Sequence, residues 1–207
     1  MQEFDRKAHW EKVYRERRPE ETSWHQDVPG ASLELVANSG VRRSEPVIDV
    51  GGGASRLVDH LLALGFTDLS VLDLSARALE QARARLGEAA SGVHWIEADI
   101  TDFSPAREYR LWHDRAVFHF LTDPADRRRY VSTLLQALAP AGQLIVAAFA
   151  PDGPTRCSGL DIVRYDAGGL AAELGPGFRL EEERRETHLT PQGREQRFGF
   201  FRFRHTP

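Results

Sequence analysis

A doubly wound, mostly parallel α/β sheet is the fold that this 207-residue sequence predicts. Strand-like and helix-like segments alternate between Pro46 and Phe149, the pattern of β-α-β units joined by right-handed crossovers. The strand-like runs are short and almost wholly apolar, as strands buried on both faces are. The last forty or so residues then change to two longer strand-like runs, which implies an antiparallel pair at one sheet edge.

The elements follow in order. "PVIDV" (Pro46 to Val50) is a buried strand that ends at glycines, and the helix after it carries Leu57, Val58, Leu61 and Leu62 on one face. "LSVLD" (Leu69 to Asp73) is the second strand. Ser75 is a natural N-cap for a helix that buries Leu79, Ala82 and Leu86. "VHWIEAD" (Val93 to Asp99) and "YRLWHD" (Tyr109 to Asp114) are strands three and four. The next helix puts Tyr130, Val131, Leu134, Leu135 and Leu138 on one side and stops at Pro140 to Gly142. "QLIVAAF" (Gln143 to Phe149) is strand five, and "GFRLEEERRE" and "QRFGFFRFR" form the closing pair. The whole chain, 1–207, is expected to be one domain: a core over 46–207 and an N-terminal appendage over 1–45.

Composition narrows the function classes. With 41% hydrophobic and 28% charged residues the balance is that of an ordinary globular protein, and a net charge of -4 offers no general attraction to nucleic acid or anionic membranes. The run Arg127-Arg128-Arg129 reads as a solvated helix face. The N-terminus is charged throughout and has no apolar signal core, and "LIVAAFA" from Leu144 is too short to span a bilayer, so a soluble, cytoplasmic protein is expected. The single cysteine, Cys157, excludes an internal disulfide and a multi-cysteine zinc cluster.

In a sheet of this kind ligands bind beyond the carboxyl ends of the strands. The first strand ends in "DVGGGAS", where Gly51, Gly52 and Gly53 let backbone approach a ligand and the next helix offers free N–H groups. Asp73 ends the second strand, where a carboxylate can accept from both hydroxyls of a ribose, and Asp99 ends the third, where one can accept from an exocyclic adenine amine. Features at three successive strand ends point to an adenosine-shaped site. A dinucleotide fingerprint would need glycine where Arg56 stands, and no phosphate-loop lysine follows the glycines.

These motifs together resemble the class I S-adenosylmethionine-dependent methyltransferases: "VIDVGGGAS" as the glycine motif, "VLDLS" as the ribose motif, "EADI" as the adenine motif, and "LAPAGQLIV" leading into strand five. The resemblance covers roughly residues 46 to 204 and implies a Rossmann-like, seven-stranded sheet ordered 3-2-1-4-5-7-6, with strand 7 antiparallel. It implies S-adenosylmethionine as cofactor, with Asp49 and Gly51 to Gly53 at the methionine part, Asp73 and Leu74 at the ribose, and Asp99 and Ile100 at the adenine. It also turns the end of strand four toward the methyl group. Asp114 then grips the methionine ammonium, and Asp114 and His119 are the candidate catalytic residues, His119 as a general base. Arg115, Phe118 and Trp24 are the candidate acceptor contacts. No metal is expected, since His113, Asp114 and His119 share no face.

Two closer likenesses are partial. "WHDRAVFHFLTDPADRRRY" resembles a segment of thiopurine methyltransferase-like S-methyltransferases, through Asp114, Arg115, Pro124, Asp126, Arg127 and Tyr130. "HWEKVYRE", with His9, Trp10 and Tyr14, resembles the N-terminus of some small protein-lysine methyltransferases. No Asn-Pro-Pro-Tyr motif follows strand four. Trp10, Tyr14 and Trp24 are too many large aromatics for a free tail, so residues 1 to 30 are expected to form a helical lid, with Trp24 or Gln26 touching the cofactor. The expected reaction is methyl transfer to a small soluble acceptor, a thiol or other soft nucleophile, because a thiol needs little base catalysis. A protein-lysine methyltransferase is the second reading, kept open by Asp123, Asp126 and Asp152 near the mouth, and a cofactor-binding scaffold without turnover is the third.

Overall fold

The computed structural model describes residues 4–207; the first three residues of the expected lid lie outside them. Two helices, α1 (Arg6–Glu16) and α2 (Gly30–Asn38), precede β1 (Val47–Val50). The chain then runs through α3 (Leu57–Ala63), β2 (Leu69–Asp73), α4 (Ala76–Leu86), β3 (Val93–Glu97), β4 (Tyr109–Arg115), α5 (Pro124–Ala137) and β5 (Leu138–Phe149). A two-residue hairpin, β6 (Arg156–Cys157) and β7 (Leu160–Asp161), leads to α6 (Ala167–Leu174) and the long pair β8 (Phe178–Leu189) and β9 (Glu195–His205).

The main sheet is ordered β3-β2-β1-β4-β5-β9-β8. Its first five strands are parallel, β9 runs antiparallel to β5, and β8 runs antiparallel to β9. With the small separate hairpin set aside, this is the expected 3-2-1-4-5-7-6 order with one antiparallel strand. The alternation of side chains sorts the core into two layers. Ile48, Trp112, Val146 and Phe201 pack with Tyr130 and Leu134 of α5 and Leu170 of α6 on one face. Val47, Leu111, Ile145 and Phe200 pack with Leu35 of α2, Leu57 and Leu61 of α3 and Leu79 of α4 on the other. Ser75 caps α4 as expected, accepting from the Ala78 N–H at 3.2 Å.

Three local expectations change. α5 ends at Ala137, and Leu138 already begins β5, five residues before the predicted start, with a register shift between Tyr109 and Leu111 accommodating the extra length. The buried residues of α5 are Asp126, Tyr130, Thr133, Leu134 and Ala137, with the Thr133 hydroxyl donating to the Phe103 carbonyl at 3.3 Å, while Leu135 is 46% exposed. β3 ends at Glu97, so Asp99 sits in the loop beyond it. That loop position is what lets Asp99 reach across the strand ends.

Candidate active site

The glycine turn after β1 makes room chiefly for its own neighbours. Gly51 has φ 68°, and a Cβ there would lie 2.0 Å from a Val117 methyl. A Cβ on Gly52 would lie 2.6 Å from Asp49 Oδ2, and one on Gly53 2.6 Å from Asp73 Oδ2. Gly51 lines both of the cavities found at the strand ends, and Gly52 lines the second. Gly53 lines neither, and its lack of a side chain lets Asp73 and the Tyr14 hydroxyl come close.

Asp73 and Asp99 meet in the first cavity, together with Leu74, Ala98 and Ile100. Asp73 Oδ1 accepts from the Ser75 N–H at 2.8 Å, yet burial pushes the carboxyl up to about 7, and the nearby Asp49 carboxylate acts in the same direction. Such a group is short of donors, and a ribose diol supplies two. Asp99 Oδ1 accepts from both the N–H and the hydroxyl of Thr101, at 2.8 and 2.7 Å, which orients the carboxylate. The residues therefore fit an adenosine moiety.

The Asp73 shift has a sign for stability. Its folded value is raised above the unfolded one, so the native state binds more protons between about 4 and 7 and stability from this group falls as pH rises through that window. Asp114 contributes in the same sense up to about 6, whereas His119, pushed down to about 3, contributes in the opposite sense. The expected outcome is read by difference: in chemical unfolding from pH 4 to 8, Asp73→Asn removes a stability loss that wild type shows on going from pH 4 to 7.

The N-terminal segment crosses the opening. Trp10, Tyr14 and Trp24 all line the first cavity, with Trp10–Trp24 and Tyr14–Trp24 centroids 5.7 and 6.2 Å apart and Phe120 5.1 Å from Trp10. Asp5 caps α1, accepting from the Ala8 N–H at 2.9 Å. Arg6 pairs with Asp126 and lies 3.7 Å from Asp99; Gln81 donates to the Tyr14 carbonyl at 3.0 Å, and Arg115 to the Trp24 carbonyl at 2.9 Å. Gln26 lines the second cavity and donates to Glu186 at 2.8 Å.

The end of β4 departs from expectation. Asp114 is completely buried and lines neither cavity: its carboxylate accepts from the Tyr130 hydroxyl at 2.7 Å and from the Val117 and Phe118 N–H groups at 2.8 and 3.1 Å. It holds the turn after β4, so the gripping of a methionine ammonium is corrected to a structural bond set. Phe118 is likewise buried, 4.9 Å from Tyr130 and 5.5 Å from Tyr165 between centroids, and is no acceptor contact. His119 packs against Phe120 and Phe149, off the cavity wall, with both ring nitrogens unpartnered. Burial, with Arg115 adding to it, pushes its pKa down to about 3. A ring that is neutral at physiological pH but out of reach is no general base. His119→Leu, of similar size and without orphaned nitrogens, is expected to leave the unfolding free energy within about 1 kcal/mol or raise it, with methyl transfer retained. Parallel denaturation and turnover assays check this.

Arg115, by contrast, stands at the wall of both cavities. The second cavity adds a chain that sequence reading took for core packing: His113 Nδ1 lies 2.7 Å from Asp49 Oδ1 and its Nε2 2.9 Å from Ser32 Oγ, all three buried. This bridge ties α2, β1 and β4 together and fixes the direction of the Asp49 carboxylate. Ser32, Phe120, Phe198 and Arg6 were missed, since only the fold brings them to the strand ends. Cys157 also lines the first cavity, its thiol pushed up to about 12 by burial, which makes it inert as a nucleophile. The acidic residues expected at an open mouth are engaged elsewhere. Asp123 caps α5, buried Asp126 pairs with Arg6 and Arg129, and Asp152 pairs with Arg197.

Comparison with known proteins agrees with the fold. The family model described as "Methyltransferase domain" matches residues 47–142. Among curated proteins, nodulation protein S of Rhizobium fredii is 33% identical over 93 residues, 45% of this chain and 53% of that protein. The chain thus spans about half the length of the curated relatives it matches. Among solved structures, that described for conversion of a disulfide bond into a thioacetal group during echinomycin biosynthesis superposes with a TM-score of 0.78 at 19% identity, over 95% of this chain and 90% of that one. The N-methyltransferase NodS from Bradyrhizobium japonicum WM9, in complex with S-adenosylhomocysteine, does so with 0.70 at 19% identity, over 95% and 98%.

Proposed function

We propose, from the premise that this chain has the fold and the ordered motifs of the class I S-adenosylmethionine-dependent methyltransferases, that it transfers a methyl group from S-adenosylmethionine to a small soluble acceptor. The observation that carries the reading is the meeting of Gly51, Asp73, Asp99 and Ile100 in one cavity roofed by Trp10, Tyr14 and Trp24. Bound S-adenosylmethionine supplies a methyl group already activated on a sulfonium. Asp73 would accept from the ribose hydroxyls, Asp99 with Ile100 would take the adenine edge, and Asp49, held by His113, would take the methionine end beside the glycine turn. The work left to the protein is alignment and exclusion of water, which the aromatic roof provides.

With His119 out of reach, an acceptor that needs little help in losing its proton suits the site, and a thiol or other soft nucleophile is the preferred one. An amine is the second reading, favoured by the likeness to an N-methyltransferase. Lysine on a protein is disfavoured, because the roof covers the site and Asp123, Asp126 and Asp152 are bound elsewhere. Incubation with radiolabelled S-adenosylmethionine, against a panel of small thiols, amines and acids and against a cell lysate, tests this. Label in the small-molecule fraction is the expected result. Label on one lysate protein would overturn the small-acceptor reading, and cofactor binding without any transfer would favour a scaffold.

A further inference from the structure

Arg115 is a partly buried cation whose guanidinium is left with two unpartnered nitrogens. Its Nη1 donates to the Trp24 carbonyl at 2.9 Å, but Nε and Nη2 are buried and have no hydrogen-bond partner. No carboxylate among the described residues forms a salt bridge with it. One face of the guanidinium lies 4.9 Å from the Phe198 ring centroid, and Trp24 and Phe120 complete an apolar surround on the cavity wall. Buried donors left without a hydrogen-bond partner are costly, so such nitrogens are nearly always matched by an acceptor. Burial lowers the Arg115 pKa to about 10, which keeps it charged at neutral pH. The charges of Glu186 and Asp49 act on it from a distance, but neither makes a hydrogen bond or salt bridge to it, and the Cys157 thiol is protonated at neutral pH.

We infer that Arg115 is the recognition site for a carboxylate, or similar planar anion, carried by the methyl acceptor. This deepens the methyltransferase reading and rests on it. The acceptor's class is then a small acid with an apolar body, since Trp10, Trp24, Phe120 and Phe198 line the space beside the guanidinium. The adenosine end is lined by the carboxylates Asp73 and Asp99, which would repel an anion there. Arg115 lines both cavities, and its two unpartnered nitrogens, Nε and Nη2, match the bidentate geometry of a carboxylate.

The test titrates the full chain, saturated with S-adenosylhomocysteine, with acid–amide pairs: benzoate against benzamide and hexanoate against hexanamide. In at least one pair the acid is expected to bind about 10-fold tighter or more, a difference that Arg115→Gln abolishes and Arg115→Lys partly keeps. Equal affinity of acid and amide in both pairs on the wild-type protein overturns the inference, whatever the variants do. So does a second result: Arg115→Gln weakening S-adenosylhomocysteine about 10-fold while sparing 5′-methylthioadenosine, which lacks the amino-acid end. The cation would then hold the cofactor's carboxylate. Absence of S-adenosylhomocysteine binding to the wild type removes the methyltransferase reading and this inference together, whereas the two preceding results remove this inference alone.

Discussion

Asp73→Ala is expected to lower S-adenosylhomocysteine affinity by at least about 100-fold in titration calorimetry, while the thermal unfolding midpoint stays close to that of wild type. The affinity loss follows from two hydrogen bonds between ribose hydroxyls and a charged acceptor, each worth about 1.5–3 kcal/mol where water is excluded. The stability result follows from two opposing terms. Alanine deprives the Ser75 N–H of the acceptor it has at 2.8 Å, but it also removes a carboxyl whose burial raises its pKa to about 7. A group in that condition costs the apo fold stability at neutral pH and is retained for what it binds. Unchanged affinity would remove the ribose assignment. A large fall in the midpoint would instead make Asp73 a structural cap.

The opposite pattern is expected for Asp114→Asn, although the two aspartates stand at the carboxyl ends of β2 and β4, on either side of β1 in the same sheet. Asp114 is completely buried and accepts three bonds, from Tyr130, Val117 and Phe118, and the Tyr130 hydroxyl accepts in turn from Trp112 Nε1 at 2.9 Å. An amide offers one acceptor oxygen where the carboxylate offers two, so at least one buried donor is stranded. A loss of about 2–4 kcal/mol is expected, with the midpoint falling by roughly 5–15 °C for a domain of this size. S-adenosylhomocysteine affinity of the folded fraction should stay within about 3-fold, because Asp114 lines neither cavity. A 10-fold or greater affinity loss at constant midpoint would restore the methionine ammonium reading.

Asp73 and Asp114 show where sequence reading is strong and where it runs out. Both end an apolar strand run, and both were read as ligand-facing. The alternation of strands with helices over residues 46–149, the apolar strands and the glycine turn are local signals, because burial on both faces and backbone φ act on each segment separately. They suffice for the parallel α/β sheet with an antiparallel pair at its edge, the Ser75 cap and the strand-end places of Asp73 and Asp99, while the strand order and Ile100 rest on the family resemblance. Side-chain direction just past a strand end is not a local signal. At β4 the turn Ala116–Phe118 folds back, with Ala116 at φ 69°, and draws its N–H groups onto Asp114, which takes Asp114 inward and carries Phe118 and His119 into the core. Arg115, one residue on, emerges at the wall.

What the sequence determined by itself, then, is the layered fold and the meeting of Asp73 and Asp99 at the strand ends, since both follow from hydrophobic period and from residues at strand ends. What only the tertiary structure decided is the rest of the cavity wall. That wall is assembled from α1, the segment around Trp24, the turn after β4, the hairpin bearing Cys157, and β9 with Phe198, pieces as far apart in the chain as Arg6 and Phe198. The same holds for the bridge from Ser32 through His113 to Asp49, whose partners are 81 and 64 residues apart. Such contacts depend on how separate elements pack against one another, and a burial pattern read along a single segment carries no record of its distant neighbours.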